Sequence, residues 1–355
     1  MIARFFLFEV RYWLRQPMVY IFFLVFGLFG FGFVCLPNFS MGGGGNTFKN
    51  APYIVYIMYA IMSFIGLLSV TAFVNGTAIR DFTSNTAQIV FSTPVSRFSY
   101  LVGKFLGSTF VASLPLFGLS LGVVIGSHMW WLDAAQVGPN HLMPHLKAFA
   151  LLGLPNVLFS AAIVFAVAVN VRTTMAAFIT AIIIIVGYSV SDSFTSDLEN
   201  ETLGAMLDPF GPTAIGLLTK YWTVEDKNTL TLPFTGVLLW NRVLWISVSV
   251  IVFLVGYFRF SFTDRVQKAK ALQPDALPPP SFGGVAIPQV RLDFSASTRR
   301  KQFFTLFWNE LKGIIKSTPF IIIMSLGMLQ MFTSLSFVTS MYGNTSYPVT
   351  YGVVD

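Results

Sequence analysis

"IRDFTSNTAQIVFSTPVSRFSYLVGK", Ile79–Lys104, is a polar island in an oily chain. The runs on either side, Tyr53–Ile79 and Phe105–Ser127, contain no charged residue. Each is long enough to cross a bilayer core of about 30 Å, which takes about 20 residues of helix. The island is therefore a connection at a membrane face, and the architecture follows from which face that is.

Further apolar runs occupy Met18–Leu36, Ala148–Val169, Thr174–Ser191, Val237–Phe258 and Pro319–Met341. The chain is 55% hydrophobic and only 10% charged, with a mean hydropathy of +0.71, against roughly 25% charged in soluble domains. An integral membrane protein is the class this composition allows. Arg242 interrupts the run at Val237, and its long side chain is expected to snorkel to an interface marked by Trp240 and Trp245. The spans otherwise carry Asn75, Asn156, Asn170 and scattered Ser/Thr, read as glue between helices. Charge-free midplanes argue against ion-coupled transport.

Orientation comes from the basic residues. With the N-terminus in the cytoplasm, only Lys49, Lys147, Lys220, Lys227 and Arg242 of the 22 Lys/Arg fall outside, as the positive-inside rule requires. The island is then cytoplasmic. The net charge of +7 serves topology and not nucleic acid, since no basic tract is interleaved with stacking aromatics in a polar context. Cys35, the single cysteine, excludes an internal disulfide.

Three segments do not span. In residues 3–16, Arg4, Arg11 and Arg15 project within about 40° of one another at 100° per residue, apart from Phe5, Phe6, Val10, Trp13 and Leu14; this reads as an amphipathic elbow in the interface. Residues 192–236, outside, are too long for a turn and are expected to pack as a cap through Phe210, Leu217, Leu218, Trp222 and Phe234. Residues 259–302, with "ALQPDALPPPSFGG", read as an extended cytoplasmic linker.

An internal echo follows the linker. "FFLFEVRYWLRQPMVYIFF" at Phe5 matches "LFWNELKGIIKSTPFIII" at Leu306, pairing Glu9 with Glu310, Arg11 with Lys312 and Arg15 with Lys316 before a proline opens a span. "NAPYIV" at Asn50 matches "NTSYPV" at Asn344. A second copy is expected to start near residue 303, and the chain to be part of a longer two-copy protein.

Signatures of chemistry are sparse. There is no GxxxxGKS/T phosphate loop and no HExxH. "MGGGGN" at Met41 reads as a loop, and His141/His145 have helical metal-pair spacing but straddle Pro144 without a third ligand. Gly118, Gly122 and Gly126 mark close helix packing.

The order of elbow, span, loop, span, Arg80-Asp81, Thr93-Pro94-Val95-Ser96-Arg97, Gly103-Lys104 and four more spans resembles the permease of ABC-2 type transporters, the membrane subunits of bacterial exporters. The resemblance implies an all-α polytopic bundle: a six-span unit over 1–258, the linker, and the first span of a second copy within 303–355. It implies a cytoplasmic coupling helix, expected from Phe82 to Phe91, on which an ATPase docks. Arg80, Asp81, Gln88, Ile89, Thr93, Pro94, Arg97 and Lys104 would serve that docking, with Glu9, Arg11 and Arg15 in the elbow. Where the family often has acidic residues, this chain has Thr83, Ser84, Asn85, Thr86 and Gln88. The implied partners are an ABC ATPase subunit carrying Mg–ATP, a second permease copy in the same full-length chain or in a homodimer, and the lipid bilayer; no cofactor or enzymatic activity belongs to this chain. The implied location is the bacterial cytoplasmic (inner) membrane, with the N-terminus cytoplasmic.

"LDPFG" at Leu207, "YWT" at Tyr221 with Glu225 and Asn228, and "LLWNRVLW" at Leu238 are similar to large bacterial proteins that fuse two ABC-2 permease copies to an aminopeptidase-like domain of the zinc M1 type. Nothing here matches that domain. The alternative function is a membrane anchor for a peptidase-like domain that transports nothing.

Overall fold

The computed structural model describes residues 1–36, 46–195, 201–262 and 296–316, with a few helical positions between 320 and 328. All regular structure among them is helical. The glycine run at 42–45, most of the linker and most of the expected span at 319–341 lie outside the described residues.

The N-terminal segment is helix α1 (Ile2–Leu14), and Pro17 then opens α2 (Pro17–Cys35). Proline suits that place, because the first turn needs no amide donor. The second apolar run is a bent pair, α3 (Pro52–Ile65) and α4 (Leu67–Thr83), with 47° between them. The bend falls at Gly66, where the Ser63 and Ser69 hydroxyls donate to the carbonyls of Ala60 and Gly66. Gly and Ser at a kink are its usual cause.

The island contributes α5 (Ala87–Ser92). Beyond it, α6 (Arg97–Ser113) and α7 (Pro115–Ser127) form one long rod that steps at Pro115. Next, α8 (Leu142–Ala148) passes through a π turn at Phe149–Gly153 into α9 (Leu154–Val171). Then come α10 (Thr174–Thr195), the short α11 (Glu201–Leu207), α12 (Pro212–Leu218) and α13 (Val224–Thr229), and α14 (Gly236–Arg259). Among the described residues, Pro17–Cys35, Arg97–Ser127, Leu142–Val171 and Gly236–Arg259 are long and apolar enough to cross a membrane, and the α3–α4 pair makes five. Helix α10, 22 residues long, carries a further apolar stretch over Thr174–Ser189. The fold is an all-α polytopic bundle.

Glycine sets the closest contact. A Cβ on Gly122 would overlap the Gly27 carbonyl oxygen, and one on Gly30 the Leu119 carbonyl oxygen. Hence α2 and α7 touch backbone to backbone, the packing small residues allow in a membrane. The core around α4 and α9 is aliphatic and aromatic, with Phe73, Val74, Ala161, Val164 and Phe165 all buried.

At the end opposite α1, hydrogen bonds tie the loops to the helices. Asn50 accepts from the Gly138 amide at 2.8 Å and donates to its carbonyl at 2.7 Å and to Asn140 at 2.9 Å. The Phe48 amide donates to Asn228 Oδ1 at 2.8 Å, and Lys147 Nζ to Thr231 Oγ1 at 2.8 Å. Of the residues expected to make a cap here, Phe210 is buried, Leu217, Leu218 and Trp222 are half-buried and Phe234 is exposed.

The described residues 296–316 belong to a separate unit. They form α15 (Ala296–Ile315), an exposed helix in which Phe303 stacks on Phe307. The segment that echoes α1 is thus helical, and its helix starts at Ala296, inside the stretch read as linker.

Candidate functional site

The α1 end of the bundle gathers the charged residues of the island. Arg80 and Asp81 are consecutive in the last turns of α4, so their side chains diverge by about 100°. Arg80 Nη2 donates to Glu9 of α1 in a close ion pair. Its guanidinium lies 4.1 Å from the Tyr12 ring centroid and 5.3 Å from that of Phe8, a cation–π arrangement that suits a planar cation. Asp81 turns the other way and receives Lys104 Nζ of α6 at 2.6 Å and the Tyr100 hydroxyl at 2.7 Å.

Thr77, one turn before Asp81, joins the two pairs. Its hydroxyl donates to Glu9 Oε2 at 3.2 Å and accepts from Trp13 Nε1 at 2.7 Å, and its carbonyl accepts from Lys104 at 3.1 Å. Glu9 is fully buried and Lys104 is 3% exposed. Two negative and two positive groups thus form one neutral, hydrogen-bonded network, the condition under which charges tolerate burial. It locks α1, α4 and α6 into a single body.

The segment after this network rests on it and is otherwise largely exposed. Helix α4 stops at Thr83, Asn85 takes a left-handed conformation (φ 55°), and α5 starts again at Ala87. The continuous helix expected from Phe82 to Phe91 is therefore broken, because Ser84-Asn85-Thr86 favours turns over helix. Ala87 is buried, while Gln88 is exposed and Ile89 is 68% exposed. Phe91 faces back onto Tyr100 and Phe260 and anchors the helix. Thr93 is extended and, with Pro94 and Arg97, exposed; Ser96 caps α6 through the Ser99 amide.

Between α1 and α5 lies an apolar cleft of about 450 Å³ lined by Phe5, Phe8, Val90 and Val95, with Asp81 and Lys104 at its floor. The sequence-predicted residues thus divide in two. Glu9, Arg80, Asp81 and Lys104 are brought together in the network. Gln88, Ile89, Thr93, Pro94 and Arg97 form an exposed ridge beside the cleft, and Arg11 and Arg15 lie exposed along α1 with Arg4, Leu7 and Phe8. Arg172, at the left-handed end of α9, was not singled out from the sequence; its guanidinium stacks 4.2 Å from the Phe82 ring and completes this end.

A second polar centre was misjudged from the sequence. Arg242 does not snorkel: it is 1% exposed. Its Nη1 donates to Asn156 Oδ1 of α9 at 2.7 Å and its Nε to Asn241 Oδ1 at 2.9 Å, with Nη2 3.4 Å from the Pro209 carbonyl. Asn241 Nδ2 in turn holds the carbonyls of Ala205 and Asp208. The "LDPFG" loop is folded around its own Asp208, whose carboxylate accepts the amides of Phe210, Gly211 and Thr213. Gly211 has φ +95° and lies against the Arg242 guanidinium, so any Cβ there would meet both strain and a clash. The spatial partners of Arg242 explain its place; Asn156 and "NR" were visible in the sequence, and their pairing was not.

No curated protein sequence matches this chain. Residues 36–263, which run from the end of α2 past α14 and include Thr77, Arg80, Asp81, Lys104, α5 and the Arg242 centre but not α1, match the family model of the ABC-2 family transporter protein. This chain belongs to the ABC-2 transporter family and is a multi-pass membrane protein.

Proposed function

We propose that this chain is the membrane subunit of an ABC-2 exporter of a bacterial cytoplasmic membrane, driven by ATP hydrolysis in a separate subunit. The N-terminus and α5 face the cytoplasm, where the basic residues concentrate. The ATPase, carrying Mg–ATP, grips the ridge at Gln88 and Ile89 and seats an apolar side chain in the cleft between α1 and α5. A second permease copy, in the same full-length chain or in a homodimer, supplies the other half of the pathway. The chain itself performs no hydrolysis.

One observation carries this reading. A short exposed helix sits on a buried ion-pair network that ties three helices together, so force on α5 reaches α1, α4 and α6 as one body. A solvated loop serving only topology needs no such foundation. Affinity purification of the full-length protein from its own membranes tests the proposal. An ATPase with a GxxxxGKS/T loop should copurify and hydrolyse ATP in the complex; repeated isolation of the permease without any such subunit contradicts it.

A further inference from the structure

At the end of the bundle opposite α1, a cavity of about 490 Å³ opens between α7 and α8, within the roughly 300–1,000 Å³ of ligand pockets. Phe117, Leu121, Val124, Leu142 and Leu146 make its walls. Its polar lining is Ser120, Asn140, His141 and His145, of which His145 is the buried one. His145 is 5% exposed, and its Nδ1 lies 3.0 Å from Ser120 Oγ, which lies 2.6 Å from the Tyr59 hydroxyl. Tyr59 also reaches the Leu116 carbonyl at 3.0 Å. This chain of hydroxyls fixes the ring and uses Nδ1, while Nε2 has no hydrogen-bond partner among the described residues, and His145 lines the cavity.

The chemistry of an occupant follows. The walls want a hydrocarbon chain, and a buried imidazole nitrogen wants a hydrogen bond. Among the described lining residues there is no Lys, Arg, Asp or Glu, so a charged head group would be buried without a counter-ion. Because the Tyr59 hydroxyl donates to the Leu116 carbonyl, Ser120 donates to Tyr59 and Nδ1–H to Ser120, which leaves Nε2 as an acceptor. A hydroxyl supplies the donor that Nε2 needs, whereas a carboxylate does not. Asn140, bonded to Ser127 and Asn50, closes the polar end of the cavity.

We propose that this cavity binds a single-chain, uncharged, hydroxyl-headed amphipath of the monoacylglycerol type, its chain between α7 and α8 and its hydroxyl on His145 Nε2. The proposal does not depend on ATP-driven transport. The test uses the full chain in lipid nanodiscs, a monoacylglycerol with a photoreactive group in its tail, and peptide mapping of the adducts. Adducts should concentrate in residues 117–124 and 142–146. Leu121→Trp, a change at an exposed position that fills the cavity, should abolish that concentration. His145→Phe should weaken labelling about 2- to 10-fold, the value of one neutral hydrogen bond. Unlabelled monoacylglycerol should compete, and palmitate should compete less well. Adducts spread evenly over the exposed faces of α2 and α7 and unchanged by Leu121→Trp, or equal competition by palmitate, would overturn the proposal.

Discussion

The two ends of the bundle solve one problem in different ways. At the α1 end, buried polarity is carried by full charges in matched pairs, Glu9 with Arg80 and Asp81 with Lys104. At the other, among the described residues, it is carried mainly by amides and backbone groups around Asn50, Asn156 and Asn241; the Arg242 guanidinium rests on neutral oxygens and the buried Asp208 carboxylate on backbone amides. Paired charges are strong when complete and costly when broken. Amide networks lose less from any single deletion. The α1 end is therefore built to move as one piece or not at all, and the opposite end can yield locally.

The largest effect should come from breaking a charge pair. Lys104→Met strands Asp81 beside a buried face and should cost about 3–5 kcal/mol in thermal melts of nanodisc-embedded protein. Adding Asp81→Leu should recover most of that loss, because a packed apolar pair can replace a buried ion pair. A double variant no more stable than the single would mean that the network contributes through shape and not charge. Arg242→Met is the matching change at the opposite end. It leaves the Asn156 and Asn241 side-chain oxygens short of a donor and should cost about 1–3 kcal/mol. Equal costs at the two ends would erase the contrast.

A smaller effect belongs to α13. Thr223 and Asp226 form a capping box, and hydrogen bonds from the Thr223 amide and hydroxyl hold the Asp226 carboxyl below the usual carboxylate range. A lowered folded-state pKa stabilises above the unfolded value and is lost as pH falls through the folded one. Hydrogen exchange in residues 224–229 should therefore stay slow at neutral pH and quicken in acid, while Asp226→Asn should remove the pH dependence. Unaltered acid sensitivity in that variant would assign it to another group.

Much of this was legible in the sequence because membranes impose simple rules. Runs of about 20 apolar residues, Pro17 at a helix start, and the glycines of α7 all act locally. The exposure of Gln88 was likewise readable, a polar residue in a short island between spans; that of the apolar Ile89 was not. The pairings were not. Glu9 meets Arg80 across 71 positions, and Arg242 meets Asn156 across 86. Such partners are set by how helices cross, which no local period records. The same reason underlies the expectation that Arg242 would snorkel: its neighbours Trp240 and Trp245 suggested an interface, while Asn156 lay far back in the chain. The break at Asn85 was within reach, since Ser-Asn-Thr is a turn-forming run that hydrophobic flanks on both sides masked.

The central claim is that α5 is where a partner applies force, and a cross-link tests it most directly. Ile89→Asp at this exposed site should change stability by no more than about 0.5 kcal/mol and yet release the ATPase. Gln88→Cys should form a disulfide or short cross-link to an ATPase subunit in native membranes, and the Ile89→Asp change should abolish it. A control cysteine at Tyr221, also exposed and at the opposite end, should capture nothing of the kind. No cross-link at position 88, or the same one at position 221, would contradict the account.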